Sequence, residues 1–344
     1  MLFALVALHV AAALALPALL GIPNHYSIGS YVTVFTIVTV GFMVLFALGY
    51  PFYVALVVRP SQPGDYLRAQ LRDQILSPER LCNAIPVLIM IPVAMSSFTW
   101  FKVLIPFINP FSWDPRLAAW DAWLHGGHQP WELLQPVLGI PIVTSTVTFL
   151  YHLWIFAMCG VVLWQTLSTA NPRTRMQYLI TLVLLWIVIG NLTATILSSA
   201  GPVYFGRVTG LPDPFAPLMD YLHAADQTTG VMALEVQDLL WQSYLRQGAE
   251  IGRGISAMPS MHLASSFSFV LIGFATSRRL GILFSLFCAT IMIGSVHLGW
   301  HYAIDGYVAI VLTWLIWRAV GWLLDRPAVA RRLWPVAPAL DRPR

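Results

Sequence analysis

Apolar residues do not alternate with polar ones along this chain; they run in long blocks. Nearly charge-free stretches cover residues 2 to 20, 31 to 58, 84 to 106, 141 to 168, 177 to 200, 259 to 276, 280 to 297 and 301 to 323. Each reaches or exceeds the roughly 18 residues that mark a membrane-spanning helix. The pattern predicts an all-α polytopic membrane protein with about eight transmembrane helices. Ala-Leu-Ala near residue 14 raises the possibility of a cleaved leader, but no Lys or Arg precedes the first apolar core, so the first block reads as a retained helix.

Composition agrees with the blocks. Of 344 residues, 58% are hydrophobic and 10% charged, and the mean hydropathy is +0.72, whereas a soluble domain carries about 25% charge. A soluble enzyme and a nucleic-acid binder are thereby excluded, and the net charge of +4 reads as a topology signal, because cytoplasmic loops retain Lys and Arg. Arg59, Arg68, Arg72 and Arg80, then Arg173 and Arg175, then Arg278 and Arg279, fall on alternate connections, and six more arginines follow from Arg318 onward. These connections, and both chain termini, are expected to be cytoplasmic. The long connections 107–140 and 201–258 carry few basic residues and many aromatic ones (Trp113, Trp120, Trp123, Trp131, Trp241), which suits segments resting in the outer headgroup layer. Cys82, Cys159 and Cys288 lie far apart and suggest neither a disulfide framework nor a zinc site.

Ionisable side chains at membrane depth are costly, which makes each one a functional candidate. Asp305 is the one carboxylate within an apolar block, and His297 and His301 precede it at spacings of four. On a helix, positions four apart share a face, so His301 and Asp305 are expected to meet. A carboxylate on one imidazole nitrogen leaves the other basic, as a nucleophile or general base requires. The plainer alternative is a polar pair that glues helices together. A second cluster, Gly254-Ile255-Ser256-Ala257-Met258-Pro259-Ser260-Met261-His262, opens the sixth block. Pro259 and Ser260 are helix-start signals, and a helix start offers unpaired N–H groups to an anion beside His262. The plainer alternative there is an ordinary capped entry into the membrane. By the expected topology both clusters lie at outer helix ends.

Pro259-Ser260-Met261-His262, followed about forty residues later by His301-Tyr302-Ala303-Ile304-Asp305, resembles the second and third signature motifs of the PAP2 superfamily, the type 2 phosphatidic acid phosphatases. The form is similar to the branch of inositol-phosphorylceramide-synthase-like and sphingomyelin-synthase-like proteins. Ser199-Ala200-Gly201-Pro202-Val203-Tyr204 resembles that branch's first motif, and Tyr151-His152 sits where the branch often has a Tyr and a His. The resemblance implies a division into residues 1–83 (two additional helices and a cytoplasmic loop), 84–323 (a six-helix PAP2-like catalytic core) and 324–344 (a Pro/Arg-rich tail). The K-x6-R-P of the phosphatases is absent, and Ser295 replaces the arginine six residues before the third motif's histidine. Phosphate charge must then be neutralised from elsewhere. Arg253 is the first choice and Arg207 the second, with solvated loop charge the alternative for each; Ser260 and Tyr204 complete the expected substrate-binding set.

What the resemblance implies is metal-independent phosphoryl transfer without a cofactor. His301 attacks phosphorus, Asp305 orients and stabilises it, His262 protonates the leaving oxygen, and water or an acceptor hydroxyl resolves a phosphohistidine. The expected partners are a lipid phosphate or phospholipid in the membrane, the expected location an inner membrane of the bacterial kind, and the site faces the non-cytoplasmic side. Other readings of the same polar cluster are a membrane transporter, which should spread polar groups through several spans, and an intramembrane protease, for which Gly254-Ile255-Ser256-Ala257 is a weak match. A di-iron hydroxylase would need more clustered histidines than the nine in this chain.

Overall fold

The computed structural model describes residues 2–246 and 254–333. Among the described residues it is helical throughout, without strands. Two N-terminal helices, α1 (Leu2–Leu20) and α2 (Gly29–Tyr53), lead through a π-helical turn to a short α3 (Pro63–Gln70) and then to α4 (Pro78–Ile108). The first long connection forms α5 (Asp114–Leu124) and α6 (Pro130–Leu138). Helix α7 (Pro141–Leu167) returns through α8 (Pro172–Leu184), which passes into a π-helical stretch, Leu185–Thr193, and ends in α9 (Ala194–Ile196). The second long connection holds α10 (Phe205–Thr209), α11 (Ala216–Thr229) and α12 (Met232–Leu245). The chain closes with α13 (Met261–Thr276), α14 (Arg278–His297), α15 (Ala303–Leu324) and α16 (Pro327–Leu333).

Seven of the described helical segments are long and apolar enough to cross a membrane. The eighth expected span is shorter than its apolar block: α13 has 16 residues, about 24 Å at 1.5 Å per residue, against a hydrocarbon core of roughly 30 Å. Its missing first turn is the non-helical segment before Met261, whose backbone is buried in protein; irregular backbone at membrane depth is tolerated only in such a place. Helix α4 errs the other way and includes Arg80 at one end and Lys102 near the other.

Large apolar side chains point outward, as a lipid-facing surface requires; Ile37, Leu45 and Leu48 of α2 are all exposed. In the interior, buried large side chains such as Phe269, Tyr178 and Leu179 are joined by small and hydroxyl residues, among them Ser97, Thr144, Thr148, Ser265, Ser266 and Thr313, which lets helices approach closely and bond across their interfaces. The α13–α14 hairpin turns in one residue, Ser277, whose side chain caps α14. It closes because Gly281 has no Cβ; one built there would lie 2.3 Å from the Phe274 ring. The far rim of the bundle is tied by arginines. Arg175 donates to the carbonyls of Gln165, Thr166 and Asn83, and Arg173 pairs with Asp325 at 2.7 Å. His262 opens α13 and Arg278 follows its other end, so the histidines and the arginine rim occupy opposite ends of the bundle.

Candidate functional site

The turn between α14 and α15 presents His301. The Trp300 and His301 N–H groups both donate to the Ser295 carbonyl at 3.0 and 3.1 Å, and Gly299 supplies the positive φ of 72° that the corner needs. His301 Nδ1 lies 3.2 Å from Asp305 Oδ2, and the same oxygen accepts the Tyr302 N–H at 3.1 Å. The pair therefore meets through helix capping. Tyr302 is the N-cap, Asp305 is the third residue of α15, and His301 stands outside the helix, not one turn up the same face as the spacing alone suggested. Asp305 is fully buried, and its Oδ1 has no hydrogen-bond partner among the described residues.

His262, the second residue of α13, faces His301 with ring centroids 5.9 Å apart. Its ring stacks on Tyr151 at 4.8 Å and lies 4.2 Å from the Trp154 ring, so aromatic walls fix its orientation. Ser260 caps α13 by accepting the Leu263 N–H; its hydroxyl serves the helix start and does not face the cavity. The segment before it is strapped down on both sides: the Ala257 and Met258 N–H groups bond the carbonyl and hydroxyl of Ser199, and the Ser260 N–H donates to the Asp305 carbonyl. Opposite, Gly201 adopts φ 97°, and a Cβ there would meet the Trp300 carbonyl at 2.7 Å, which is why the first-motif segment needs glycine at this point.

Two acids from the first long connection hold these segments in place. Asp114 accepts the Ala200 and Gly201 N–H groups, each at 2.8 Å, and the Tyr302 hydroxyl at 2.8 Å. Asp121 accepts the Ala303 and Ile304 N–H groups at 2.7 and 2.9 Å and so caps α15 from a different helix. Burial pushes both carboxyls above their ordinary range, and these hydrogen bonds pull the other way. Sequence reasoning missed both. The signal that could have found them is the spacing Asp114, Leu117, Ala118, Asp121, the buried stripe of α5, set against the outward Trp120 and Trp123.

The histidines open into a cavity of about 380 Å³, also lined by Lys102, Tyr151, His152, Tyr204 and Trp300. Lys102 lies near enough to His262 and His301 to interact electrostatically with both, and it has no hydrogen bond or ion pair among the described residues. Tyr204 donates its hydroxyl to the Gln237 carbonyl at 2.8 Å. Arg207 turns away from the cavity: its guanidinium lies 5.3 Å over the Trp241 ring and 4.0 Å from Asp238. Arg253 lies outside the described residues. His297 is fully buried, with Nε2 2.9 Å from the Thr144 hydroxyl, and joins α14 to α7. Among the described residues no group of three or more His, Cys, Asp or Glu side chains is arranged to hold a metal ion.

Comparison with known proteins places this geometry in context. The family model described as PAP2 superfamily matches residues 115–319, well over half of the chain. No curated protein and no solved structure matches it.

Proposed function

The chain belongs to the PAP2 superfamily, and from that premise we propose that it transfers the phosphoryl group of a membrane lipid phosphate or phosphodiester through a phosphohistidine. The observation that carries the reading is the single cavity onto which His301, backed by Asp305, and His262 both open, 5.9 Å apart. At that separation one phosphoryl group held between the rings touches both, in keeping with reacting atoms about 3–3.5 Å apart. The free nitrogen of His301 gives its electron pair to phosphorus while the P–O bond to the lipid breaks. The departing oxygen takes the proton carried by His262. Asp305 stabilises the cation that His301 becomes on phosphorylation. A hydroxyl, of water or of an acceptor, then attacks phosphorus, returns its proton to His262 and releases His301. The P-S-M-H and H-Y-x-x-D forms favour an acceptor alcohol, as in the inositol-phosphorylceramide-synthase-like branch, over water.

Lys102 answers the missing first-motif cations. It reaches the same cavity from α4, upstream of the matched residues, and a cation with no counter-charge among the described residues, beside two histidines, is placed to neutralise phosphate oxygens. The test is direct. Purified protein in EDTA, given a radiolabelled lipid phosphate, should release or transfer the label and should form an acid-labile phosphoenzyme; His301→Ala should abolish both. His262→Ala should slow a poor leaving group by roughly 10² to 10⁴ and an activated aryl phosphate far less. Full turnover by His301→Ala would overturn the mechanism.

A further inference from the structure

The cavity does not end at the histidines. From Tyr151 and His152 it continues along α7 to Met158 and Cys159, about 12 Å of helix at 1.5 Å per residue, toward the bilayer interior. The polar groups stay at one end. Along the arm the walls are Phe35 of α2, Met95 and Phe98 of α4, Ile155 and Met158 of α7, and Trp186 of the π-helical stretch. Phe35, Phe98 and Met158 are buried, and Phe98 meets Trp186 edge-on at 4.4 Å, so buried apolar side chains wall the arm. An apolar space of this kind holds water poorly and accepts an apolar guest.

Half of that wall comes from outside the residues that define the family. Tyr31, Val34 and Phe35 of α2, and Met95 to Lys102 of α4, all precede residue 115, where the family match begins. Helix α2 is otherwise almost wholly lipid-facing, with 6% of its span buried; Phe35 is buried against the core, and the Tyr31 hydroxyl bonds Thr99 on the cavity wall. Its inward contacts thus fall where the arm needs a side.

We propose that α2 and the Met95–Phe98 stretch of α4 form a hydrocarbon subsite continuous with the histidine pair, and that its occupant is the chain of the lipid whose phosphate lies at His301. The inference rests on the phosphoryl-transfer reading for the position of the headgroup. Continuity of one cavity from the histidines to Met158 selects this occupant, since a chain attached to a phosphate held between the rings has this arm beside it.

A long-chain alkyl phosphate carrying a diazirine near its terminus, photolysed with the full-length protein in lipid nanodiscs, reads the subsite without turnover. Crosslinks to peptides containing Phe35 and Met158, competed by unlabelled long-chain alkyl phosphate, are expected; crosslinks confined to lipid-facing residues such as Leu45 and Leu48 would overturn the proposal. Turnover gives the second measurement. Met158→Trp, which fills the arm, should lower the long-chain to short-chain ratio of kcat/KM about tenfold, the scale of lost apolar pocket contacts. Met95→Phe, a smaller filler on the facing wall, guards against misfolding and should shift the ratio in the same direction. An unchanged ratio in a monodisperse variant counts against the arm. A wild type that turns over neither substrate but still crosslinks at Phe35 would instead remove the phosphoryl-transfer reading and leave a lipid-binding cavity.

Discussion

At the scale of single residues, Asp305 makes the sharpest physical demand. It is fully buried, bonds His301 and the Tyr302 N–H through one oxygen, and leaves the other without a partner among the described residues. Asp305→Asn keeps the size and an acceptor for the Tyr302 N–H but removes the charge that stabilises an imidazolium and lets the ring adopt the wrong tautomer. Turnover per folded molecule should fall by on the order of 10⁴, with folding judged by detergent chromatography; near-normal turnover would reduce the pair to helix glue. Lys102→Met should lower kcat/KM by about 10² to 10³, the usual cost of removing one preorganised group from a transition-state charge, and Lys102→Arg should recover part of it. If both variants matched wild type, the phosphate would have to be held by another cation. The histidines and Asp305 were legible in the sequence because ionisable groups are rare in apolar blocks. Lys102 was not. It reads locally as an end-of-helix residue, and only the packing of α4 brings it to the cavity that His152, marked in the sequence by the resemblance alone, also lines.

At the scale of elements, hydropathy alone located the seven described helices long and apolar enough to cross a membrane, because the bilayer leaves the backbone little choice but to satisfy itself. The start of α13 was legible as well, since Pro259 and Ser260 mark it within two residues of Met261; what hydropathy could not show is that Gly254 to Ser260 is tied down by Ser199 and Asp305, partners distant in sequence. Nor could it assign α5. Acids on a short helix in an outer loop ordinarily mark the water-facing side, whereas here Asp114 and Asp121 point inward and serve backbone N–H groups. Asp121→Ala strips the first turn of α15 of its cap, at a cost of roughly 1 to 2 kcal/mol, and loosens the residues between His301 and Asp305. A lower melting temperature together with a fall in turnover is expected; lower stability with unchanged turnover per folded molecule would confine Asp121 to a structural role. Asp121→Asn, which still accepts, should lie between alanine and wild type.

Across the whole molecule, the arginine rim and the histidine end are separated by the length of the bundle, and the proposed orientation puts the histidines outside. The chain carries its own control. Cys82 is exposed near the arginine end, while Cys159 and Cys288 are buried. A cysteine introduced at Arg253 should react with an impermeant thiol reagent in intact cells, and Cys82 only after lysis; the reverse order would invert the topology. The same division gives α5 a particular position. Its outer side carries Trp120 and Trp123, 46% and 78% exposed, and its inner side carries the two carboxylates that fix residues 200–201 and 303–304. A rigid helix of eleven residues cannot shift one side without the other. In the proposed orientation those indoles rest in the headgroup layer, so whatever crowds, thins or charges that layer should be felt at the His301–Asp305 corner, and turnover is expected to change with lipid composition in nanodiscs and to differ in micelles.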